Sequence, residues 1–407
     1  MTDREGDYRP VILGKLEEQE ADIILEACAG HSFPFPEFNR ILFGDKAFAH
    51  PFLGVFRHLS IGHATDAAIR SQAASGGILS AVLIFLLEKG YVQGVVTLRM
   101  SRTTPWLTEP FIATCRDEVM EAAQSKYIIS SVNEILPEME AFQGELAYVG
   151  LPGQVQSIRK LQRMNHPSVR NIKFVFGPFY GNTLHFSSIR SFLTAHSETD
   201  YSQIVKLYFR YGEWPGKMRI EMKSGRVLEL PKSHANYLIP FHILKNSLLC
   251  TDLTNEFTDL SGGDAWAPVY EERGKGFSMI IARSEQGAVL LDTMTAEGWL
   301  EQWPLDVEEA VRMHSHGYDL KKRGAFIRIK LRRMLGLTVP DYGYNFGRFG
   351  PLRYGMELMI TGLFLVLGTK PARFLADRIP MNIMGGAFEK ARRIWKNATH
   401  KIKRQDL

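Results

Sequence analysis

Three glycine-rich turns carry the residue pattern that most directly indicates chemistry. They lie at residues 75–77 (SGG), 150–154 (GLPGQ) and 177–181 (GPFYG), each between an apolar segment and a helical one. Glycine lets a backbone approach a ligand closely, and the free N–H groups at a helix N-terminus attract anions. Such turns at neighbouring strand ends form a crevice for phosphate-bearing ligands. The pattern predicts a nucleotide-type cofactor, although an ordinary strand-to-helix turn also uses glycine.

The first of these turns has a further local signal. Ser75 is of a type that caps helices, so we predict that it caps a helix beginning at Gly76 and Gly77. An acidic series, Asp252, Asp259 and Asp264, follows later in the chain. Its spacing is not specific for a metal, and Asp264 follows Gly262-Gly263, where aspartate is usually a turn residue. We keep Asp264 only as a residue that lines the site.

Other candidate residues have weaker support. His314 and His316 stand two positions apart, so on a helix they would not face one point, and a metal site is not predicted. Cys250 could be a nucleophile, but the sequence shows no histidine positioned to activate it. A buried thiol without a catalytic role is the simpler interpretation.

Short apolar segments alternate with helical ones along the chain, which predicts an α/β protein. We expect a mixed β-sheet core flanked by helices, with a basic helical C-terminal appendage. The predicted divisions are residues 1–70, 71–305 and 306–407. Strands are predicted at 94–99, 146–150, 172–176, 204–209, 218–222, 278–283 and 288–292. Helices are predicted near 76–89, 132–142, 154–164, 184–195, 306–316, 321–334, 354–367 and 386–399.

Composition excludes several classes of protein. The 407 residues, 45% of them hydrophobic, are enough for a large core, and three cysteines are too few for a disulfide framework. We therefore expect a reducing, cytoplasmic compartment. The charged N-terminus does not resemble a secretory signal, and the apolar run 358–367 is about half as long as a membrane span.

Positive charge is concentrated in the last part of the chain. Residues 321–407 hold 19 Lys and Arg against 5 Asp and Glu, whereas the whole chain carries a net charge of +5. Such an asymmetry indicates an anionic partner. Because no nucleic-acid-binding module is present, we expect contact with an anionic membrane surface, as peripheral binding on the inner face of the membrane. A helix packed against the body is the alternative.

The order of motifs resembles the beta-subunit family of coenzyme F-420 hydrogenase and dehydrogenase. Relatives in that family include 7-hydroxymethyl chlorophyll a reductase and divinyl chlorophyllide vinyl reductase. The resemblance extends from about residue 8 to residue 303. The matching segments are SGG with LLEKGYVQGVV, SKY (125–127), GLPGQVQSIRKL, GPFYG, RYGEWPGKM (210–218) and CTDLTNEFTDLSGGDAW (250–266).

The resemblance implies an FAD site, with F-420 as another cofactor, and residues 1–70 would be a degenerate ferredoxin-linker region. Family members also carry iron-sulfur clusters on cysteines, but this chain has Gly153, Tyr180 and Ser247 at three of those positions. Because clusters require thiolates, we expect none here and no metal. Lys126 would meet phosphate or ring-oxygen charge. The residues that the resemblance assigns to the cofactor site are Ser75, Gly76, Gly77, Lys126, Tyr127, Gly150, Pro152, Gly153, Gln154, Tyr180 and Asp264.

Two functions remain open at this point. The first is a flavin-dependent oxidoreductase that exchanges hydride with an unidentified small organic substrate, without one-electron transfer through clusters. The second is a non-redox nucleotide- or sugar-binding accessory protein, or an enzyme of cell-surface polysaccharide or lipid metabolism. The sequence does not indicate the oligomeric state or which residues are catalytic.

Overall fold

An eight-stranded mixed β-sheet organises the chain in the computed structural model, which describes residues 2–4, 7–45, 47–271 and 275–403. The strands are β1 (Thr2–Arg4), β2 (Asp7–Arg9), β3 (Ala49–His50), β4 (Gly54–Val55), β5 (His58–Ala64), β6 (Gly94–Met100), β7 (Thr108–Ala113), β8 (Leu146–Val149), β9 (Ile172–Pro178), β10 (Ile204–Tyr211), β11 (Lys217–Met222), β12 (Val227–Pro231), β13 (Leu260–Asp264), β14 (Ser278–Ala282) and β15 (Leu300–Pro304).

The helices surround this sheet and continue beyond it. They are α1 (Glu18–Ala27), α2 (Phe35–Phe43), α3 (Ala67–Gln72), α4 (Ile78–Glu88), α5 (Arg116–Glu121), α6 (Leu136–Ala141), α7 (Pro152–Arg163), α8 (Ser187–Thr194), α9 (Lys232–Ala235), α10 (Leu238–His242), α11 (Lys245–Leu249), α12 (Pro268–Glu271), α13 (Glu285–Ala296), α14 (Val307–Met313), α15 (Ser315–Tyr318), α16 (Ala325–Met334), α17 (Pro351–Leu367), α18 (Lys370–Ala376) and α19 (Met381–Lys403). A π-helix, Asp319–Gly324, connects α15 to α16.

The main sheet has the order β15-β5-β14-β13-β9-β8-β6-β7. Its centre is parallel, because β6, β8, β9 and β13 run in one direction, and antiparallel pairs close both sides. The sequence ILSAVLIFLLE makes α4 apolar on nearly every side, and most of its residues are buried against the sheet. This architecture confirms the predicted mixed α/β fold with flanking helices.

A smaller antiparallel sheet, β10-β11-β12, stands beside the main one. Alternate residues of its strands, among them Leu207, Ile220 and Leu228, are buried in a second core that also includes α8 and α10. The turn between β10 and β11 contains the sequence GEWPG and projects toward the main sheet, where its contacts become part of the site.

Two differences from the predicted elements have physical reasons. Residues 288–292 (AVLLD), predicted as a strand, lie inside α13, because the Ser284 hydroxyl accepts a hydrogen bond from Gly287 N and starts a helix there. A short apolar run alone does not distinguish the two states. The predicted division at residue 71 also differs from the structure. Strand β5 (58–64) pairs with β14 and β15, so the main sheet begins before that residue.

The C-terminal helices are attached to the body by buried ion pairs. Glu357 on α17 lies between Arg328 and Arg353, and Arg353 also contacts Asp319 at 3.2 Å. Lys403, at the end of α19, reaches the same Asp319 at 3.3 Å. Among the described residues, no single helix is both long and apolar enough to cross a membrane; α17 and α18 together meet that test but are bent by 75°.

Candidate functional site

The predicted glycine turns meet at one edge of the main sheet. This follows from the strand directions, since the parallel strands β8, β9 and β13 end there. Gly150 N donates to Phe176 O at 3.1 Å, and Phe179 N donates to Gly262 O at 2.8 Å, so the loops after β8 and β9 stay close to their neighbours. The edge at the carboxyl ends of parallel strands is where α/β proteins commonly bind ligands.

The Ser75 turn reaches this edge but not in the predicted way. Ser75 Oγ is 2.8 Å from Ser278 Oγ, and helix α4 begins at Ile78 after Gly77, without a side-chain cap. The prediction that Ser75 caps this helix is therefore wrong, because its hydroxyl is used to join the turn to β14. A Cβ on Gly76 would stand 2.6 Å from Gly62 O, so glycine is needed here for backbone packing.

Asn255 joins the other two turns. Its buried side-chain amide donates to Gly150 O at 2.8 Å and to Pro178 O at 3.2 Å. Asn255 has a left-handed backbone (φ 59°), which asparagine tolerates better than most residues. Its Oδ1 is buried and has no hydrogen-bond partner within the described chain. This side chain therefore holds two strand ends together and leaves one acceptor unused.

Arg210 connects the small sheet to the site edge. Its guanidinium donates to both carboxylate oxygens of Asp264, at 2.9 and 3.2 Å, and to Ala74 O at 2.6 Å. It also donates to Tyr127 Oη at 3.0 Å and through Nε to Pro215 O at 2.6 Å. Five hydrogen bonds from five donors leave none for a ligand, so Arg210 positions the wall of the site.

Aromatic and charged side chains complete that wall. Trp214 Nε1 donates to Asp264 at 2.8 Å, and the Trp214 ring lies 4.8 Å from that of Trp266. Lys232 Nζ stands 4.1 Å above the Tyr127 ring. Burial opposes ionisation of Tyr127, but the positive charges of Arg210 and Lys232 outweigh it and hold the pKa of this phenol below its ordinary value.

His314 borders the same wall as a neutral group. Burial lowers the pKa of His314 to about 4, more than the nearby Asp264 raises it. Its Nε2 is 2.9 Å from Asp264 O, so in the neutral ring this nitrogen carries the proton and donates it to the carbonyl. The Phe179 ring packs against the imidazole at 5.3 Å. No group of three or more His, Cys, Asp or Glu side chains suited to a metal occurs in the described part of the chain.

Tyr180 and Ser247, which stand where the family resemblance implies cluster cysteines, are in direct contact. Tyr180 Oη is 2.6 Å from Ser247 Oγ, and Ser247 Oγ also accepts from Thr183 N at 3.1 Å. Lys321 Nζ lies 4.2 Å above the Tyr180 ring and donates to Ser247 O at 2.8 Å. Burial raises the pKa of Tyr180 to about 12. Burial also raises the pKa of the Cys250 thiol, as expected for an unreactive cysteine.

Lys126 occupies a position at the end of a helix. Its ammonium donates to Ala122 O, Ala123 O and Gln124 O at 2.6, 2.9 and 3.2 Å, just beyond α5. Burial lowers the pKa of Lys126 to about 7. All three N–H groups are engaged, so contact with a phosphate would require one of these hydrogen bonds to break.

Space for a ligand remains at the start of α7. Apart from the adjacent residues and the backbone of α7 itself, no atom of the described residues lies within 4 Å of where a Cβ on Gly153 would stand, and Gly181 is similarly open beyond its chain neighbours. Pro152 begins the helix, and the Gln154 side chain accepts from Leu151 N at 2.8 Å. An exposed helix start of this kind can accept an anionic group. Two open cavities of about 570 and 440 Å³ lie elsewhere, in the C-terminal region.

The structure thus divides the predicted site residues into two groups. Tyr127 and Asp264 meet at Arg210, which also binds Ala74 O next to the Ser75 turn, whereas Tyr180 faces Ser247 on another part of the edge. Sequence reasoning gave no role to Arg210, Trp214 or Asn255. The segments RYGEWPGKM and CTDLTNEF were recognised as motifs, and their buried polar residues were the available signal.

Comparison with known proteins identifies the family of this chain. The model of the N-terminal part of the coenzyme F420 hydrogenase/dehydrogenase beta subunit matches residues 60–137, and the model of its C-terminal part matches residues 144–308. The beta subunit of coenzyme F420 hydrogenase from Methanosarcina barkeri is 25% identical over 74% of this chain and 98% of its own length. Its counterpart from Methanothermobacter thermautotrophicus is also 25% identical, over 71% and 99%.

More distant relatives extend the comparison. The coenzyme F420-dependent sulfite reductase of Methanocaldococcus jannaschii is 24% identical over 53% of this chain and 34% of its own length. A chain of the F420-reducing [NiFe] hydrogenase complex from Methanosarcina barkeri has the same fold, with a TM-score of 0.57 and 20% identity over 73% of this chain and 99% of that chain. The relatives with named activities are oxidoreductases or their subunits. The chain belongs to the coenzyme F420 hydrogenase/dehydrogenase beta-subunit family.

Proposed function

We propose that this protein is a flavin-dependent oxidoreductase that exchanges hydride with a small organic substrate. Membership of an oxidoreductase family supports redox chemistry, and one structural observation supports the cofactor: open space above Gly153 at the start of the 12-residue helix α7. A bound flavin would supply the two-electron redox chemistry. FAD is the proposed form, and F-420 is the other candidate.

The chain's own residues would bind and orient that cofactor. The first turn of α7, with Pro152, Gly153 and Gln154, would face its phosphates, because backbone N–H groups there favour negative charge. Arg210 would hold Tyr127 and the Ser75 turn in fixed positions beside it. Trp214 and Trp266 would exclude water from the space beside the cofactor.

An iron-sulfur cluster does not fit the residues present. Tyr180 and Ser247 offer two hydroxyls that are hydrogen-bonded to each other, and Gly153 offers no side chain at all. Cys250 is the nearby thiol, and the other two cysteines, Cys28 and Cys115, are exposed. Clusters require several thiolate ligands at one point. We therefore derive no one-electron step through this chain.

Of the glycines at the proposed site, Gly153 is better suited than Gly76 for a test of cofactor binding. Gly76→Val would force a side chain into Gly62 and Ser278, so loss of cofactor could simply reflect damage to the sheet. Gly153→Leu enters open space within a helix, where leucine is intrinsically favoured over glycine by roughly 0.5–1 kcal/mol. Gly386→Leu, in open space on α19, is a matched control.

The experiment measures bound chromophore by visible absorption, and FAD affinity by fluorescence quenching, for wild type and both variants. We expect Gly153→Leu to retain the thermal stability of the wild type and to lose at least tenfold in affinity, with Gly386→Leu unchanged. Equal affinity in all three proteins would place the cofactor elsewhere. A wild type that binds neither FAD nor F-420 would instead favour the non-redox accessory function.

A further inference from the structure

Helix α17 has its charged residues inside and its apolar residues outside. Arg353 and Glu357, its two charged side chains, are buried, with 5% and 0% of their surfaces exposed. Every exposed position carries an apolar residue or glycine. The large exposed side chains are Leu352, Leu358, Met359, Leu363, Leu365 and Val366. A helix on the surface of a water-soluble domain has the opposite arrangement, so this face of α17 fits an apolar environment.

The apolar surface continues onto the next helices. Phe374 and Leu375 on α18 expose 58% and 64% of their surfaces, and Ile383 on α19 exposes 59%. Because α18 is bent by 75° from α17, the pair cannot act as a straight span. The combination is suited to lying in the boundary layer of a bilayer.

Positive charge lies next to this apolar surface. Helix α19, which contacts α17, forms an open groove of about 440 Å³. Four cationic side chains and one carboxylate line it: Lys390, Arg392, Arg393, Lys396 and Glu389. A cationic groove beside exposed apolar side chains matches a lipid that has an anionic headgroup and apolar chains.

The helices that carry these features are held in place. The Arg328–Glu357–Arg353–Asp319 pairs and the contact of Lys403 with Asp319 bury charges between the helices and the body. Separating α17 from the body would leave those charges unpaired, at a high energetic cost. The ion pairs therefore fix α17 on the body with its apolar face exposed.

We propose that the surface formed by α17, α18 and α19 docks the protein on an anionic lipid bilayer. The apolar face of α17 would enter the headgroup boundary, and the basic residues of α19 would contact lipid phosphates. The anionic leaflet facing the cytoplasm is the matching surface. The proposal does not depend on the cofactor, and residues after 308 lie outside both family models.

A second copy of the chain fits this surface less well. Residues 321–407 carry 14 more basic than acidic residues, so two such regions facing each other would repel. A bilayer containing anionic lipid satisfies the apolar and the cationic part together.

Vesicle flotation of the full-length protein tests the proposal, with phosphatidylglycerol–phosphatidylcholine vesicles compared with pure phosphatidylcholine. The face variant is Leu363→Glu/Val366→Glu, and the groove variant is Lys390→Glu/Arg393→Glu. The control, Val227→Glu/Val289→Glu, adds the same charge as the face variant, at exposed apolar positions of the body. All changed positions are exposed, so the variants should fold, which circular dichroism verifies.

We expect the wild type and the control to float with anionic vesicles and bind neutral ones weakly. The face variant should bind at least about tenfold less. The groove variant should bind at least about 25-fold less, since each basic residue contributes about fivefold and glutamate also adds repulsion. Absence of wild-type binding, or equal binding of wild type and face variant, would overturn the proposal. So would light scattering that shows a wild-type dimer which the face variant converts to a monomer, because a second copy would then cover the surface.

Discussion

Arg210→Met should selectively loosen the hairpin of β10 and β11. The change removes five hydrogen bonds and leaves Asp264 with Trp214 as its remaining side-chain donor. The Arg210 side chain is 2% exposed and that of Asp264 is 18% exposed, so the stranded carboxylate is poorly solvated. Removing one partner of such a pair costs about 3–5 kcal/mol, or an increase of at least about 100-fold in the opening equilibrium.

Hydrogen exchange measured by mass spectrometry over residues 204–222 is the assay, because it reports local opening. Arg219→Met is the matched control: Arg219 lies on β11 and pairs with Glu221 and Glu229 nearer the surface, where a pair contributes about 1 kcal/mol or less. Adding Asp264→Asn to Arg210→Met should recover part of the loss, since it removes the unpaired charge. Equal protection in the Arg210 and Arg219 variants, or no recovery in the double variant, would refute the reasoning.

Three further predictions concern other parts of the site. Burial lowers the pKa of Lys126 to about 7, so between about pH 7 and about pH 10 the unfolded chain binds more protons than the folded one. The unfolding free energy should therefore rise with pH in this range, and Lys126→Met should flatten that rise in denaturant titrations. Ser247→Ala should destabilise the protein by about 1–3 kcal/mol by leaving Thr183 N and Tyr180 Oη without this partner, and should show a non-additive effect with Tyr180→Phe in a double-mutant cycle. Protein purified without oxygen should contain no stoichiometric iron or acid-labile sulfide, and finding both would contradict the proposed absence of clusters.

The sequence predicted half of the strands of the main sheet and missed β5, β7, β13 and β15, because only the strongest local signals could be recognised. The apolar helix α4 and the strands β6, β8 and β9 follow from continuous apolar segments and glycine boundaries. The same kind of signal failed at residues 288–292, where an apolar run is equally consistent with a buried helix face. The deciding feature there is the hydrogen bond from Gly287 N to Ser284.

The candidate site was less predictable, since it depends on contacts between distant residues. Gly76 and Gly153 look alike in the sequence, yet one is required by packing against Gly62 and the other borders open space. Arg210 meets Ala74 and Asp264 only after two sheets have assembled. No local sequence pattern predicts contacts between such distant residues. Composition and spacing could therefore locate the edge of the sheet, but not the role of Arg210 there.

The hydroxyl contact between Tyr180 and Ser247 has a consequence for how the protein is made. A contact between two hydroxyls needs no metal before it can form, so with the proposed absence of clusters we expect folding of this region to be independent of iron supply. Hydroxyls also do not undergo the stepwise oxidation that converts thiols to sulfenic and sulfonic acids. Synthesis in air, without cluster-assembly machinery, should therefore yield this part of the molecule in its final form.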